Sequence, residues 1–543
     1  MTNAGAAAVV TVLLVLTLQW WVGAFASERG LHSDEAAHFM NGLVLRDYLR
    51  EGLGQSPLEF AREYYRHYPK IAPFMWPPLF HGVLGIVLLP GWPPMAAAIV
   101  LIGLFSAWIT WRLYRVVLSF ASAPVALGVA AFFITTPIVI DLSSSVMIDI
   151  VVAAFAMEAA YWLGRFAGSG ATSHAAVFGA MTALACVAKG NGLSAVLAPV
   201  VLIAMTGRLE LLRRPGLYVA AGIVILVAAP PLYLAYRLDA GLGDFGPVTW
   251  PVIAERLVFY SRHIWHQLGA LPVVFAAIGA LVALGRPREW MAQGTKHQAE
   301  ALAAMVGGSF GFHLLNPHIL SHERYITLAL APILGLAALG VMAVTQGIPA
   351  RAVRWSTQLA VFLAMALTHG AGQQALAAQP PLGYRDTITF LADAGTLSGR
   401  RILVVSNEMG EGACVSEAAA LGLSPRPMVL RGSKVLASDD WMGRDLQLRY
   451  ATPDALLTDL EAMHVDYVII DDAPEAQRLP YWAQVREAFA AAPSRVELVR
   501  QAPASPQAGP LRPLTLYRLT TRAPGAPKPI EFSGSSPFIG AAP

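Results

Sequence analysis

The chain has 543 residues, of which 56% are hydrophobic and only 13% charged, and its net charge is +3. A soluble domain carries about 25% charged residues. The deficit, with a mean hydropathy of +0.53, excludes a string of soluble domains and indicates a polytopic membrane protein with the bilayer as its main surroundings and no nucleic-acid partner. The two cysteines, Cys186 and Cys414, stand in such unlike contexts that a disulfide framework is excluded as well.

The first apolar run, "AAAVVTVLLVLTLQWWVGAFA", is long enough to span a membrane. Its end at Ala24-Phe25-Ala26 resembles a cleavage site. No Lys or Arg precedes it, so an uncleaved anchor is expected. Directly after it comes "GLHSDEAAHFMNGLVLRDYL", where Asp34 and Glu35 lie between His32 and His38. A Ser33 cap with acids in the first turn accounts for such a start without chemistry. A carboxylate pair on the lip of a membrane segment, with His38 one turn from Asp34, is equally a functional candidate. Both readings stand at this point.

Next, "YYRHYPKIAPFMWPPLFHG" concentrates Tyr64, Tyr65, His67, Tyr68, Lys70 and Trp76. One reading is an interfacial aromatic belt with a snorkelling lysine. The other is a cation for a phosphate, on a backbone stiffened by prolines. The following "PPLFHGVLGIVLLPG" offers about a dozen residues between its prolines, too few to cross a bilayer, and is expected to be re-entrant or surface-lying.

Apolar runs place spans at roughly 7–25, 94–115, 123–141, 148–166, 174–188, 192–207, 216–236, 269–285, 299–316, 325–345 and 356–377. With the first helix pointing outward, the inside loops hold Arg112 and Arg115, Arg165, Arg208, Arg213 and Arg214, Arg286, Arg288 and Lys296, and Arg351 and Arg354. The positive-inside rule therefore supports about eleven spans and an outer C-terminal portion. This topology gathers the long first loop (27–93), Asp149 in "SSSVMIDIVVAAF", Lys189 in "AKGNG" and Arg324-Tyr325 in "SHERYITLALAPI" on one face, where a common site is expected. Asp149 would cost about 3 kcal/mol facing lipid, so it is expected to face protein or water; Asp141 competes with it. Arg324 suits a phosphate or carboxylate, or anchors an interface beside Tyr325.

Beyond residue 380 the chain changes character. "RRILVVSN" and "VDYVIIDD" read as strands and "DALLTDLEAM" as a helix between them, giving a small α/β domain over 379–501; the Pro-, Ala- and Ser-rich remainder, 502–543, reads as a loose tail. Gly410-x-Gly412 lacks the third glycine of a dinucleotide fingerprint.

"SDEAAH" after the first helix, "YPKIAPFMWPPLF", Asp149 after the third span, "AKGNG" and "ERYITLALAP" together resemble the GT-C membrane glycosyltransferases, near the protein O-mannosyltransferase and aminoarabinose-transferase branch (glycosyltransferase family 39-like). The resemblance covers residues 7 to about 350, the bulk of a 1–378 transmembrane catalytic domain. It implies an α-helical polytopic fold and transfer of a sugar from a polyprenyl-phosphate donor to an extracytoplasmic hydroxyl on a lipid, glycan or protein, at a bacterial inner membrane with the site facing the periplasm. It makes Asp34 the catalytic carboxylate, with Glu35 and Asp149 beside it. Lys70, Tyr68, His67, Lys189, Arg324 and Tyr325 become donor-phosphate or lipid contacts. A divalent cation (Mg or Mn) on Asp34, Asp149 and His38 is a further implication. Where relatives have Lys-Pro-Pro this chain has Trp76-Pro77-Pro78, which makes Lys70 the substitute cation. A transporter would show half-to-half repeats, and none is visible; a non-catalytic scaffold is the other alternative.

Overall fold

In a computed structural model, described here for residues 3–73, 75–237, 246–285, 291–318, 321–370, 382–438, 446–501 and 513–532, the chain forms two compact units. One comprises Met1–Trp21, Phe74–Phe80 and Ile99–Leu376; the other comprises Val22–Pro73, His81–Ala98 and Ala377–Pro543.

The first unit is helical. Each of the eleven expected spans meets a helix or a bent helix pair, from Asn3–Trp21 to Arg351–Gly370. Length and apolarity qualify fewer of them. Among the described residues Pro94–Leu118, Asp149–Ser169, Pro215–Arg237 and Glu323–Thr345 suffice alone, and two bent pairs raise the count to six. Three more helices are apolar but shorter, and Gln293–Leu315 opens on the polar run "GTKHQAE". Arg286, Arg288 and the end of the last expected span lie outside the described residues.

Burial separates two kinds of apolar helix. Thr327–Thr345 is enclosed by protein nearly all round, while Pro215–Arg237 leaves Ile225 and Leu226 64% and 78% exposed. Such an apolar face is stable only against lipid, so this is an integral membrane protein. Close packing relies on small residues. A Cβ on Gly340 would lie 2.0 Å from the Phe275 carbonyl oxygen, and one on Gly279 would lie 1.9 Å from that of Leu336. The helices Ala270–Leu284 and Thr327–Thr345 therefore meet backbone to backbone.

Trp250–Leu268 was not foreseen as a helix, and its pattern explains why. It turns polar groups inward, with Arg256, Tyr260 and Gln267 buried, and leaves Trp250, Val258 and Trp265 exposed. Arg256 donates to the carbonyls of His313, Leu314 and Asn316, the end of a neighbouring helix.

The second unit joins the first loop to the C-terminal domain. Its five-stranded sheet runs Met428–Arg431, Arg401–Val405, Tyr467–Asp471, Leu514–Leu519, Val496–Gln501. The first three strands are parallel and the last two antiparallel. The expected strand–helix–strand is present as Arg401–Val405, Pro453–Ala462 and Tyr467–Asp471. Leu403, Val405, Val468 and Ile470 pack with Leu456, Leu460, Tyr481 and Phe489 in its core. Leu514–Leu519 corrects the boundary at 501, because this strand sits inside the segment that composition marked as a tail. The run "PPLFHGVLGIVLLPG" contains the helix Leu79–Val87, whose nine residues cannot cross a bilayer.

The Gly340 contact is directly testable. Gly340→Leu forces a side chain into a neighbouring backbone and is expected to cost about 3 kcal/mol, lowering the thermal unfolding midpoint in detergent. Gly347→Leu, at a position with nothing within 4 Å, should leave the midpoint unchanged.

Candidate functional site

The second unit carries the Asp34 cluster. Asp34 immediately precedes the helix Glu35–Asp47, with φ −83° and ψ −23°, and its side chain makes no capping hydrogen bond. Asp34 is therefore not itself the cap, since an N-cap residue has extended dihedrals and accepts from the first turn. The Asp34 carboxylate is half-buried and acts electrostatically on Lys70 and Glu408. Glu35 is fully buried and accepts from the Leu31 N–H at 3.3 Å. One turn on, His38 is buried too, its Nδ1 3.2 Å from Nε2 of His81 and the two rings stacked.

Lys70, Tyr68 and His67 are engaged within the same unit. Lys70 is buried and its Nζ donates to Glu408 Oε1 at 3.0 Å. Burial holds its pKa below the usual lysine range, against the opposing pull of Glu408. Burial alone would raise the Glu408 pKa, but Lys70 and Arg431 outweigh it and hold the carboxyl below its ordinary value. Tyr68 is 1% exposed and packs on Tyr64 at 5.2 Å. His67 Nδ1 lies 3.2 Å from the Pro427 carbonyl oxygen.

The first unit carries a separate polar cluster at several helix ends. Asp149, fully buried, opens the helix Asp149–Ser169. Lys189, the residue after Thr172–Ala188, donates to both carboxylate oxygens of Asp149, at 2.8 and 2.9 Å. Its ammonium also lies 5.4 Å from the Tyr325 ring centroid, and the Arg324 guanidinium lies 5.7 Å from it. His313 stacks on Tyr325 at 5.3 Å and 19°. Asp149, Lys189, Arg324 and Tyr325 were singled out in the sequence and come together here. His313 was missed, because a lone histidine late in an apolar helix carries no local pattern. Asn191 was quoted only as part of "AKGNG"; it is buried with neither amide atom hydrogen-bonded. Asp141, the rival acid, is half-buried within the helix Pro137–Ser143.

The donors do not fit the divalent cation that the resemblance implied. Among the described residues no group of three or more His, Cys, Asp and Glu side chains is disposed to hold a metal ion. His38 instead faces His81, and Asp149 faces Lys189.

Helices of this apolarity, with an α/β domain after them, define a polytopic membrane protein. No protein-family model and no curated protein sequence matches the chain. ArnT from Cupriavidus metallidurans, solved bound to undecaprenyl phosphate, matches with a TM-score of 0.54 at 12% identity, over 95% of this chain and 99% of that one. AglB, the archaeal oligosaccharyltransferase from Archaeoglobus fulgidus, was solved with an inhibitory peptide and a dolichol-phosphate. It matches with a TM-score of 0.50 at 12% identity, over 87% of this chain and 69% of that one. At such identities the likeness establishes the fold, the one expected from the sequence.

Removing one partner of a buried ion pair leaves an uncompensated charge and costs about 3–5 kcal/mol. Lys189→Met should therefore lower stability by that order, measured by thermal unfolding in detergent. The double variant Asp149→Asn/Lys189→Met should recover most of the loss; equal losses in both would show that the pair is not the cause.

Proposed function

We propose that this protein is a membrane glycosyltransferase that moves a sugar from a polyprenyl-phosphate donor to a hydroxyl-bearing acceptor on the extracytoplasmic side. The observation that carries the reading is Asp34: a half-buried carboxylate, unused as a helix cap, beside the Lys70–Glu408 pair. The fold it shares with ArnT, over nearly all of both chains, supports it. That relative was solved with undecaprenyl phosphate, which suggests the class of lipid.

The chemistry asks little more. The acceptor O–H gives its proton to the Asp34 carboxylate as its oxygen forms a bond to the anomeric carbon. The bond from that carbon to the donor's phosphate oxygen breaks, and the electron pair leaves with the phosphate. A departing phosphate needs fixed positive charge where bulk water is excluded. Within the helical unit Arg324 carries such a charge, with Tyr325 beside it. Lys189 is committed to Asp149 and acts by holding and neutralising that buried carboxylate. Lys70, Tyr68 and His67 are assigned to the integrity of the first loop rather than to the phosphate, since each is engaged by its own unit. Glu35, buried behind Asp34, serves the loop in the same way.

The test is label transfer by purified protein from radiolabelled polyprenyl-phosphate sugars to a crude envelope acceptor. Asp34→Asn should lose at least about a hundredfold in rate with an unchanged unfolding midpoint. Full transfer by that variant would exclude Asp34 as the base. No transfer by either protein with any donor would favour a transporter or a scaffold. Sidedness has its own check in intact cells. An impermeant thiol reagent should label Arg66→Cys and not Ala352→Cys; the reverse pattern would overturn the proposed orientation.

A further inference from the structure

The C-terminal domain has the architecture of a ligand-binding domain without room for the ligand. In open α/β sheets, ligands settle outside the carboxyl ends of the parallel strands, where neighbouring strands send their connections in opposite directions. Here that point lies between Arg401–Val405 and Tyr467–Asp471, and the domain's own groups close it. Ser406 Oγ and Tyr384 Oη both donate to Asp471 Oδ2, at 2.6 and 2.9 Å, and Tyr481 Oη donates to the Ser406 carbonyl at 2.6 Å. Gly410 is required there: an added Cβ would lie 2.1 Å from Ser406 Oγ.

The first loop of the same chain lies just beyond this closed mouth. The helix Glu408–Ala420, which follows the strand Arg401–Val405, presents Glu408 to Lys70 at 3.0 Å. Arg431, at the carboxyl end of the next strand, donates to the Pro69 carbonyl at 3.2 Å and to Glu411 at 2.9 Å. Glu411 is fixed in turn by the Ser433 N–H and Oγ, at 2.7 and 2.6 Å. Gly412 is a close approach: a Cβ there would stand 2.8 Å from Ala36 Cβ and 3.1 Å from Lys70 Cε. Behind this contact, Glu28 accepts from the N–H groups of Gly383, Tyr384 and Arg385, at 3.1, 2.8 and 3.3 Å. Buried Arg29 pairs with Glu417, and its guanidinium lies 4.5 Å from the Phe39 ring centroid. These contacts bracket Asp34 on both sides in sequence.

We infer that the C-terminal domain is a positioning part of the Asp34 site: its strand-end crevice grips Pro69–Lys70 and the start of the helix Glu35–Asp47 in place of a small ligand, and Glu408 is the positioning residue that holds Lys70 beside Asp34. The positioning half of this inference rests on Asp34 being the base proposed above; the grip does not. Gly410-x-Gly412, which lacks the third glycine of a dinucleotide motif, thereby gains a purpose. The first glycine admits Ser406 and the second admits the catalytic loop.

The test uses the full-length protein in detergent, with acylation of lysines followed by mass spectrometry and with steady-state kinetics of sugar transfer. In the wild type Lys70 should resist acylation relative to exposed Lys528. Gly412→Leu, and the milder Glu408→Gln, should each raise Lys70 labelling at least tenfold. Glu408→Gln should also lower kcat tenfold or more while the donor KM stays within twofold. Arg518→Gln, on the strand next to the far edge of the sheet, should change none of these. Unchanged Lys70 labelling in both variants overturns the grip. Unchanged kcat in Glu408→Gln overturns the positioning role. If the wild type itself transfers no sugar, the positioning role falls with the proposed reaction, while Lys70 labelling still decides the grip.

Discussion

The contact at Gly412 constrains everything proposed for Asp34. A helix so close that one methyl added at Gly412 would collide with Ala36 and crowd the stem of Lys70 leaves the helix Glu35–Asp47 little freedom. Asp34 is the residue from which that helix departs. The acid is therefore held by packing at one end of its helix and by the Arg29–Glu417 pair shortly before it. Buried ion pairs are a weak source of stability, because desolvation offsets much of their attraction. Their value here is geometric, since each fixes where the first loop can lie.

A division of labour between the two units follows. The helical unit meets lipid with apolar side chains and meets itself through glycine. Its polar residues gather at helix ends, where Asp149 and Lys189 neutralise each other and Tyr325 and His313 stack alongside. The other unit has an apolar core packed on a mixed sheet, and a set of its buried charged groups meets the first loop. Residues more than three hundred positions apart, such as Lys70 and Glu408, are thereby brought within a hydrogen bond.

How much of this was legible in the sequence depends on the range of the signal. The longest spans, Pro94–Leu118 and Pro215–Arg237 among them, were legible because twenty apolar residues in a row have few alternatives. The strands "RRILVVSN" and "VDYVIIDD" were legible for the same local reason. Leu514–Leu519 was hidden by the Pro- and Ala-rich residues around it, and its own alternation is broken after Leu516. Trp250–Leu268 was hidden because it inverts the usual pattern, burying Arg256 and exposing Trp265. Asp34 was visible as a charge where charge is costly, but "SDE" is also a sound cap. The backbone dihedrals show only that Asp34 itself is not that cap. The engagement of Lys70 by Glu408 had no sequence signal, since ion pairs between distant segments leave no spacing to read.

The central claim is that Asp34 acts in the chemical step and not in holding the donor. Single-turnover transfer from pre-bound polyprenyl-phosphate sugar, with donor affinity measured on the same preparation, separates the two most directly. The account predicts that Asp34→Asn binds donor within about twofold of the wild type while the transfer rate collapses by two orders of magnitude or more. Lost affinity with an undiminished rate for the donor that remains bound would contradict it.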